Sequence, residues 1–176
     1  LRAQGIDVNA AYRFALTDDA RLALAINLTR TLKSEFQSTD LSPLRECEGL
    51  LGSTCLRPQP KWQFVQTSTV TMEPATVQLR WRYIGKLTKD TVGFGTDDPS
   101  EFAVPVIGDR HYFDLFTKFD VDDNFEFRAG VNNLFDKDPP IVGNDYGGTT
   151  ENSGNTYPQT YDPLGRAFFF GANLRF

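Results

Sequence analysis

The sequence is poor in the side chains that most often carry metal chemistry. Its 176 residues include one histidine, one methionine and two cysteines, and the histidine, His111, is remote from both cysteines along the chain. A metal site needs several ligands close together, so we predict neither a metal nor a cofactor. No Gly-x-Ser-x-Gly elbow or phosphate-binding loop occurs either, and we predict that the chain is not an enzyme.

Long apolar runs and excess positive charge are also absent. A membrane-spanning helix needs about 20 apolar residues in succession, whereas the longest apolar clusters are residues 102–107 and 167–170. The formal net charge is -5, and no basic patch with interleaved aromatic residues occurs, which argues against a nucleic-acid partner. A membrane protein that crosses the bilayer with strands is still allowed, because each strand needs only about 10 residues.

Aromatic residues and alternating segments are abundant. Phenylalanine alone contributes 15 residues. In the last segment, apolar side chains occupy every second position: Phe168, Phe170, Ala172, Leu174 and Phe176. The residues between them are small or polar apart from Phe169. A period of two predicts a β-strand with two different faces, and an apolar strand with an aromatic end is typical of outer-membrane barrels.

Seven segments alternate in this way and predict seven strands. Their approximate bounds are 5–14, 21–36, 62–72, 77–83, 112–121, 125–132 and 167–176. In the third segment Gln66 and Ser68 interrupt the apolar set, which leaves open either a bulge or a polar patch.

The connections between these segments alternate between short and long. Short turns lie at residues 17–20, 73–76 and 122–124, and long stretches rich in glycine and proline separate the other pairs. Transmembrane barrels have short periplasmic turns and long extracellular loops, whereas a soluble sandwich has no reason to sort its loops by length. We therefore predict an all-β fold, a segment of an antiparallel transmembrane β-barrel in contact with outer-membrane lipid.

The two cysteines, Cys47 and Cys55, lie in the first long loop. A disulfide between them would close a short loop and add roughly 2–3 kcal/mol in the chain-entropy model. We predict this disulfide for an oxidising compartment, and two free thiols are the alternative in a reducing one.

Residues that contact a ligand are expected in the long loops, where binding residues concentrate. The candidates are Phe102 in the second long loop and Asn144, Tyr146, Asn152, Asn155, Tyr157 and Tyr161 in the third. Their rings could stack on a sugar or an aromatic chelator, and their amides could form hydrogen bonds with it. The alternative is that they only pack the loops together.

Three stretches of the sequence resemble the C-terminal barrel region of TonB-dependent outer-membrane receptors. They are Gly130-Val-Asn-Asn-Leu-Phe-Asp-Lys137, the preceding Tyr112-Phe-Asp-Leu115, and the terminal Gly171-Ala-Asn-Leu-Arg-Phe176. Trp81-Arg-Tyr-Ile-Gly85 resembles a strand further upstream in that family. The resemblance spans essentially the whole chain. It implies the outer membrane of a Gram-negative bacterium and active uptake of a scarce ligand, such as a siderophore, cobalamin or an oligosaccharide, energised by TonB.

The family also implies parts and partners outside these residues. Residues 1–176 would supply about seven C-terminal strands of a 22-stranded barrel, so the chain is expected to be a fragment. The N-terminal plug domain, the TonB box and the earlier strands would be absent. The TonB complex would bind through that absent region.

The last strand resembles the signal that the barrel assembly machinery reads. The residues that match are Phe170, Gly171, Leu174 and Phe176, and Phe169 departs from the pattern, which usually has a polar residue there. Two other functions stay open from the sequence. One is a passive outer-membrane pore, and the other is a soluble secreted β-sandwich that binds sugars.

Overall fold

The computed structural model describes residues 2–146 and 156–175, and strands dominate it. In chain order the strands are β1 (Arg2–Ala15), β2 (Ala20–Phe36), β3 (Arg45–Glu46), β4 (Leu50–Leu51), β5 (Trp62–Met72), β6 (Ala75–Ile84), β7 (Leu87–Lys89), β8 (Val106–Ile107), β9 (Arg110–Asp120), β10 (Phe125–Asn132) and β11 (Ala167–Leu174). One α-helical turn, α1 (Asp90–Gly93), and two 3-10 turns, Pro99–Glu101 and Gly143–Tyr146, complete the described elements.

Seven long strands form one antiparallel sheet, which we call the wall. Their order is β1-β2-β5-β6-β9-β10-β11, so the long strands that follow one another in the chain are also neighbours in the sheet. Within the described residues β1 pairs only with β2 and β11 pairs only with β10. The wall is therefore an open sheet with two edges and not a closed one.

The short strands lie in the long connections at one end of the wall. β3 extends the end of β2, and β4, β7 and β8 form a separate three-stranded sheet, which we call the loop sheet. The turns at the other end of the wall are short, since they consist only of residues 16–19, 73–74 and 121–124. The expected sorting of short turns and long loops to opposite ends is thus present.

No helix among the described residues is both long enough and apolar enough to cross a membrane.

The strand register divides the wall into an apolar outer face and a polar inner face. On the outer face, apolar residues of neighbouring strands lie opposite one another, as in Phe14–Leu22, Val70–Val77 and Phe127–Ala172. Many of these side chains are exposed, with Phe168 at 64% and Phe170 at 73%. Within the described residues no second sheet covers this face, as a soluble sandwich would require. An apolar sheet face of this extent suits lipid.

The inner face carries ion pairs between neighbouring strands. Lys118 of β9 contacts Glu126 of β10 at 3.5 Å, and Arg128 also contacts Glu126. At the far edge, Thr29 of β2 donates a hydrogen bond to Asp7 of β1 at 2.7 Å. Opposite charges on adjacent strands stabilise a sheet locally, so these contacts strengthen the pairing of neighbouring strands on the inner face.

The third predicted strand has a polar patch and no bulge. β5 pairs in unbroken register with β2 and β6, and Gln66 donates a hydrogen bond to Ser68 at 2.8 Å on the outer face. Among the described strand pairs, the register shifts in the β1–β2 pair instead, between Gln4 and Gly5, where Leu32 of β2 is left without a partner in β1. The hydrogen bond between Gln66 and Ser68 lowers the cost of placing two polar side chains on an otherwise apolar face.

Phe169, which departs from the expected terminal pattern, points to the inner face. Its ring lies 5.7 Å from that of Phe116 and directly over Gly130 of β10. A Cβ atom at position 130 would lie 2.2 Å from Cζ of Phe169. The glycine and the phenylalanine therefore fit each other across the β10–β11 pair.

We expect Gly130→Ala to destabilise the folded protein by about 1–3 kcal/mol, because the new methyl group overpacks against Phe169. The free energy of unfolding in urea, measured in detergent micelles, tests this. Gly171→Ala in β11 is the matched control, since a Cβ atom there meets nothing within 4 Å. The double variant Gly130→Ala/Phe169→Ala should recover part of the loss. Equal effects of the two glycine substitutions would contradict the proposed fit.

Candidate functional site

The long connections fold together at one end of the wall into a structure that we call the cap. It consists of residues 37–61, 85–109, 133–146 and 156–166. A common apolar core joins the cap to the inner side of the wall, and its buried members are Leu51, Leu87, Ile107, Tyr112, Val142, Tyr146, Tyr157 and Tyr161. Tyr112 belongs to β9, so the cap packs on the wall itself and not only on its own loops.

Three tyrosines of the last connection fill this core, each less than 4% exposed: Tyr146, Tyr157 and Tyr161. The hydroxyl of Tyr157 donates to the carbonyl of Tyr146 at 2.9 Å, and the hydroxyl of Tyr146 donates to the carbonyl of Val104. The hydroxyl of Tyr161 has no hydrogen-bond partner among the described residues. Burial raises the pKa of Tyr161 above its ordinary value.

A buried lysine connects the second and third long connections. Lys89 is 6% exposed, and its ammonium lies 4.7 Å from the ring centre of Phe102 and 5.4 Å from that of Tyr146. An ammonium over an aromatic face is attracted by the ring quadrupole, and more strongly when water is excluded. Phe102 is half-buried against this lysine.

The first long connection is fixed by a disulfide and a buried carboxylate. Cys47 and Cys55 form the disulfide, with their Cα atoms 5.5 Å apart. The fully buried Asp90 accepts hydrogen bonds from the backbone N–H groups of Thr54, at 2.7 Å, and Cys55, at 3.2 Å. Position 52 must be glycine for this contact, because a Cβ atom there would lie 1.9 Å from Oδ1 of Asp90.

A buried carboxylate on the inner face ties the wall to the cap. Asp114 of β9 is fully buried and accepts hydrogen bonds from Nε of Arg80, at 2.8 Å, and Nε of Arg82, at 3.0 Å. It also accepts the backbone N–H of Asn133 at 2.8 Å. Arg82 reaches Asp162 of the cap at 3.4 Å. Replacing a buried charge that has several partners is costly, because each partner is then left without its hydrogen bond or its opposite charge.

The Asn-Leu-Phe-Asp stretch forms the exit from β10. Asn133 and Asp136 have positive φ values of 50° and 54°, a conformation that asparagine and aspartate tolerate better than most residues. The side chain of Asn133 accepts from the backbone N–H of Lys137 at 2.8 Å and donates to its carbonyl at 3.0 Å. Asp136 accepts the backbone N–H of Arg166, just before β11, at 2.7 Å. This stretch therefore joins the start and the end of the last long connection.

Aromatic rings gather on the outer face just below the cap. The members are Phe64, Trp81, Tyr83, His111, Phe113 and Phe135, with neighbouring ring centres 4.8–5.7 Å apart. We call this group the aromatic belt. Nε1 of Trp81 donates to Nδ1 of His111 at 3.0 Å, and Nε2 of His111 lies 3.2 Å from Asp109. Rings of this kind mark the membrane–water interface of outer-membrane barrels.

The remaining predicted residues are distributed as follows. Asn152, Asn155 and Phe176 lie outside the described residues, and Asn144 is in the 3-10 turn Gly143–Tyr146, with its side chain also outside the description. In the last strand, Phe170 and Leu174 are exposed on the outer face, and Gly171 lies between them on the inner face.

The sequence reasoning missed Lys89 and Asp90 entirely. Each owes its role to partners far along the chain, so no local pattern marks either residue. Within residues 2–146 and 156–175 no group of three or more metal-binding side chains comes together.

The tyrosines of the cap provide a matched pair of substitutions. We expect Tyr157→Phe to weaken the cap by about 1 kcal/mol, since it removes a buried hydrogen bond, and Tyr161→Phe to leave the cap as stable or slightly more so. Hydrogen exchange of cap peptides measures both. The Tyr161 pKa is raised, so its ionisation should loosen the cap as the pH rises above about 10, the usual tyrosine value, and Tyr161→Phe should reduce that effect. An equal loss of cap stability in Tyr157→Phe and Tyr161→Phe would contradict the conclusion that, of these two hydroxyls, only that of Tyr157 is a stabilising donor.

We expect Asp114→Ala to lower the free energy of unfolding by about 2–4 kcal/mol, because Arg80 and Arg82 lose their shared acceptor and the N–H of Asn133 is left without one. Urea unfolding in micelles measures the change. Asp7→Ala is the control on the same face, where the exposed carboxylate accepts a hydrogen bond from Thr29, and it should cost less than about 1 kcal/mol. A difference smaller than about 1 kcal/mol between the variants would show that Asp114 does not hold the network.

Comparison with known proteins adds evidence on the fold. No protein-family model and no curated protein matches the sequence. Among solved structures, the copper transporter OprC superposes with a TM-score of 0.54 at 18% identity, over 99% of this chain and 23% of OprC. The ferric-catecholate import receptor Fiu from E. coli K12 superposes with a TM-score of 0.50 at 19% identity, over 99% of this chain and 27% of Fiu.

Both superpositions include essentially all of this chain, which spans about a quarter of the length of each solved protein. Identities this low carry information on the fold alone. The resemblance to TonB-dependent receptors is therefore confirmed at the level of the fold: the chain has the architecture of a section of such a receptor's β-barrel.

Proposed function

We propose that the chain is part of an active transporter in the outer membrane of a Gram-negative bacterium, a TonB-dependent receptor that imports a scarce ligand. The wall contributes barrel strands, and the cap contributes extracellular loops. One observation carries this proposal. A two-faced wall, apolar outside and charged inside, bears all of its long connections at one end, where they pack into a cored cap. That asymmetry suits a barrel that meets lipid on its flank and a ligand at its mouth.

The wall is proposed to be the C-terminal portion of a larger barrel of 22 strands. Its two unpaired edges need partners, because unsatisfied backbone groups are costly in lipid, and the solved transporters are about four times as long as this chain. In this proposal the plug domain and the TonB box belong to other parts of the protein. The TonB complex binds there, and the barrel assembly machinery reads Phe170, Gly171, Leu174 and Phe176 in the last strand.

The cap is proposed to hold the ligand-binding surface. Tyr146, Tyr157 and Tyr161 fill its core, so their role in this proposal is to fix the shape of the cap around the ligand. Phe102, Asn144, Asn152 and Asn155 are the proposed direct contacts. Rings and amides recognise an organic ligand by stacking and hydrogen bonding, which fits a siderophore, cobalamin or an oligosaccharide. The chain has no catalytic role in this proposal.

An uptake assay tests the proposed function. Cells with and without the gene are compared for accumulation of radiolabelled ferric siderophores, cobalamin and oligosaccharides, in the presence and absence of TonB. We expect uptake of one ligand class to be lost in cells without the gene, and to be lost to the same extent in cells without TonB. Uptake that depends on the gene but persists without TonB would instead identify a passive pore. Uptake of every ligand independent of the gene would reject transport of these ligands.

Substitutions at the surface of the cap should lower the affinity for the ligand more than they lower the stability of the barrel. We expect Phe102→Ala to weaken binding of the imported ligand at least tenfold, since a stacking ring contributes about 1–3 kcal/mol where it meets a flat ligand surface. Phe94→Ala is a matched control, because that ring also lies in the second connection, beneath the guanidinium of Arg45. Ligand titration on intact cells measures both, and equal affinity of the two variants would remove Phe102 from the proposed site.

A further inference from the structure

A cleft of about 580 Å³ opens on the outer side of the wall, directly beneath the cap. Its lower part is formed by the upper ends of β2, β5 and β6, which supply Arg30, Trp62 and Tyr83. The register places these three side chains on the outer, apolar face. Its upper part is formed by the first and second long connections, including Leu50 and Thr88 of the loop sheet. We call it the outer cleft.

Three cations line the outer cleft: Arg30, Lys61 and Lys86. None of them forms a salt bridge with another described residue. The guanidinium of Arg30 lies 4.5 Å from the ring centre of Trp62, which orients it without neutralising it. The stem of Lys61 packs on Gly49 of the cleft wall. Each of the three cations is therefore still able to pair with an anion that enters the cleft.

Two carboxylates also line the cleft, Glu48 and Asp109. Asp109 is engaged by His111 at 3.2 Å. Oε2 of Glu48 is buried and has no hydrogen-bond partner among the described residues. A buried acceptor without a donor is costly, and a hydroxyl group of a bound molecule would satisfy it. The occupant should therefore carry both an anionic group for the cations and hydroxyl groups for Glu48.

The position of the cleft identifies where such an occupant comes from. Trp62 and Tyr83 line it, and Tyr83 belongs to the aromatic belt, whose rings lie at the headgroup level of the bilayer. The wall below the cleft is the apolar face, which meets acyl chains. An occupant with a charged, hydroxylated head in the cleft can therefore keep its hydrocarbon tails against the wall.

We propose that the outer cleft binds the headgroup of a phosphorylated glycolipid of the outer leaflet. Its phosphate lies among Arg30, Lys61 and Lys86, and a sugar hydroxyl donates to Glu48. Arginine and lysine side chains suit phosphate, and tryptophan offers a flat apolar surface to a sugar ring. This inference rests on the proposed function only in that the wall must stand in the outer membrane with the cap outside.

The test uses the complete barrel protein that contains this chain, purified into nanodiscs. The probes are lipid A, a phosphorylated glucosamine-disaccharide lipid, and the same lipid with its phosphates removed. Native mass spectrometry counts the lipids that stay bound. We expect lipid A to be retained at least about tenfold better than the dephosphorylated lipid, because cations near an anionic lipid surface each strengthen binding several-fold. Inorganic phosphate should not displace it, since the tails contribute much of the affinity.

Charge-matched variants locate the binding to the cleft. Lys61→Gln/Lys86→Gln should reduce lipid A retention at least tenfold, and Glu48→Ala should reduce it for both lipids. The control, Arg57→Gln/Lys137→Gln, removes the same charge from two exposed residues that do not line the cleft, and it should retain lipid A. The heat-modifiable migration of each variant in gels shows that the barrel has folded, so a loss of lipid cannot be mistaken for misfolding.

Three results would overturn the inference. Equal retention of the two lipids would show that phosphate is not recognised, displacement by inorganic phosphate would indicate a site for a free anion, and equal loss in both double variants would place the lipid elsewhere. The uptake assay separates this inference from the proposed function. Lipid A bound through Lys61 and Lys86 in a protein that imports nothing would reject transport and support the glycolipid site.

Discussion

The structure depends on one constraint, which is that every backbone group in the wall must be paired while successive side chains face opposite media. An unpaired peptide N–H or carbonyl is costly away from water, and the strands run in long, almost unbroken register. Once the register is fixed, the period of two assigns each side chain to the outer or the inner face of the wall. On the outer face, the polar side chains of Gln66 and Ser68 lie among apolar neighbours and form a hydrogen bond with each other.

The wall positions the cap because the two share one apolar core. Tyr112 of β9 belongs to the core that Tyr146, Tyr157 and Tyr161 fill, and Asp114, two residues further along the same inner face, receives the first N–H beyond β10. The hydrogen bond to Asp114 thus fixes the point where the chain leaves β10. The hydrogen bond between Asp136 and the N–H of Arg166 fixes the point where it enters β11. Long loops between barrel strands need such anchors, since closing a long loop costs conformational entropy that local contacts must offset.

Much of the wall could be predicted from the sequence, because its pattern is local. The alternation predicts a third strand at residues 62–72, and the structure has β5 at Trp62–Met72. The loop sheet could not be predicted in this way, since β4, β7 and β8 contain only two or three residues each. The buried Asp90, next to β7, accepts the N–H groups of Thr54 and Cys55, just beyond β4. Contacts between residues this far apart in the chain leave no period in the sequence.

The residues chosen as ligand contacts show where sequence reasoning reaches its limit. Tyrosine in a glycine-rich loop has the same local appearance whether it is exposed to a ligand or buried in a core, because the decision depends on what the other loops supply. Here Val104 supplies an acceptor and Lys89 supplies a cation for Tyr146. The cap therefore presents a shape that its buried tyrosines maintain, and a ligand at the mouth would meet that shape through the side chains at the cap's surface.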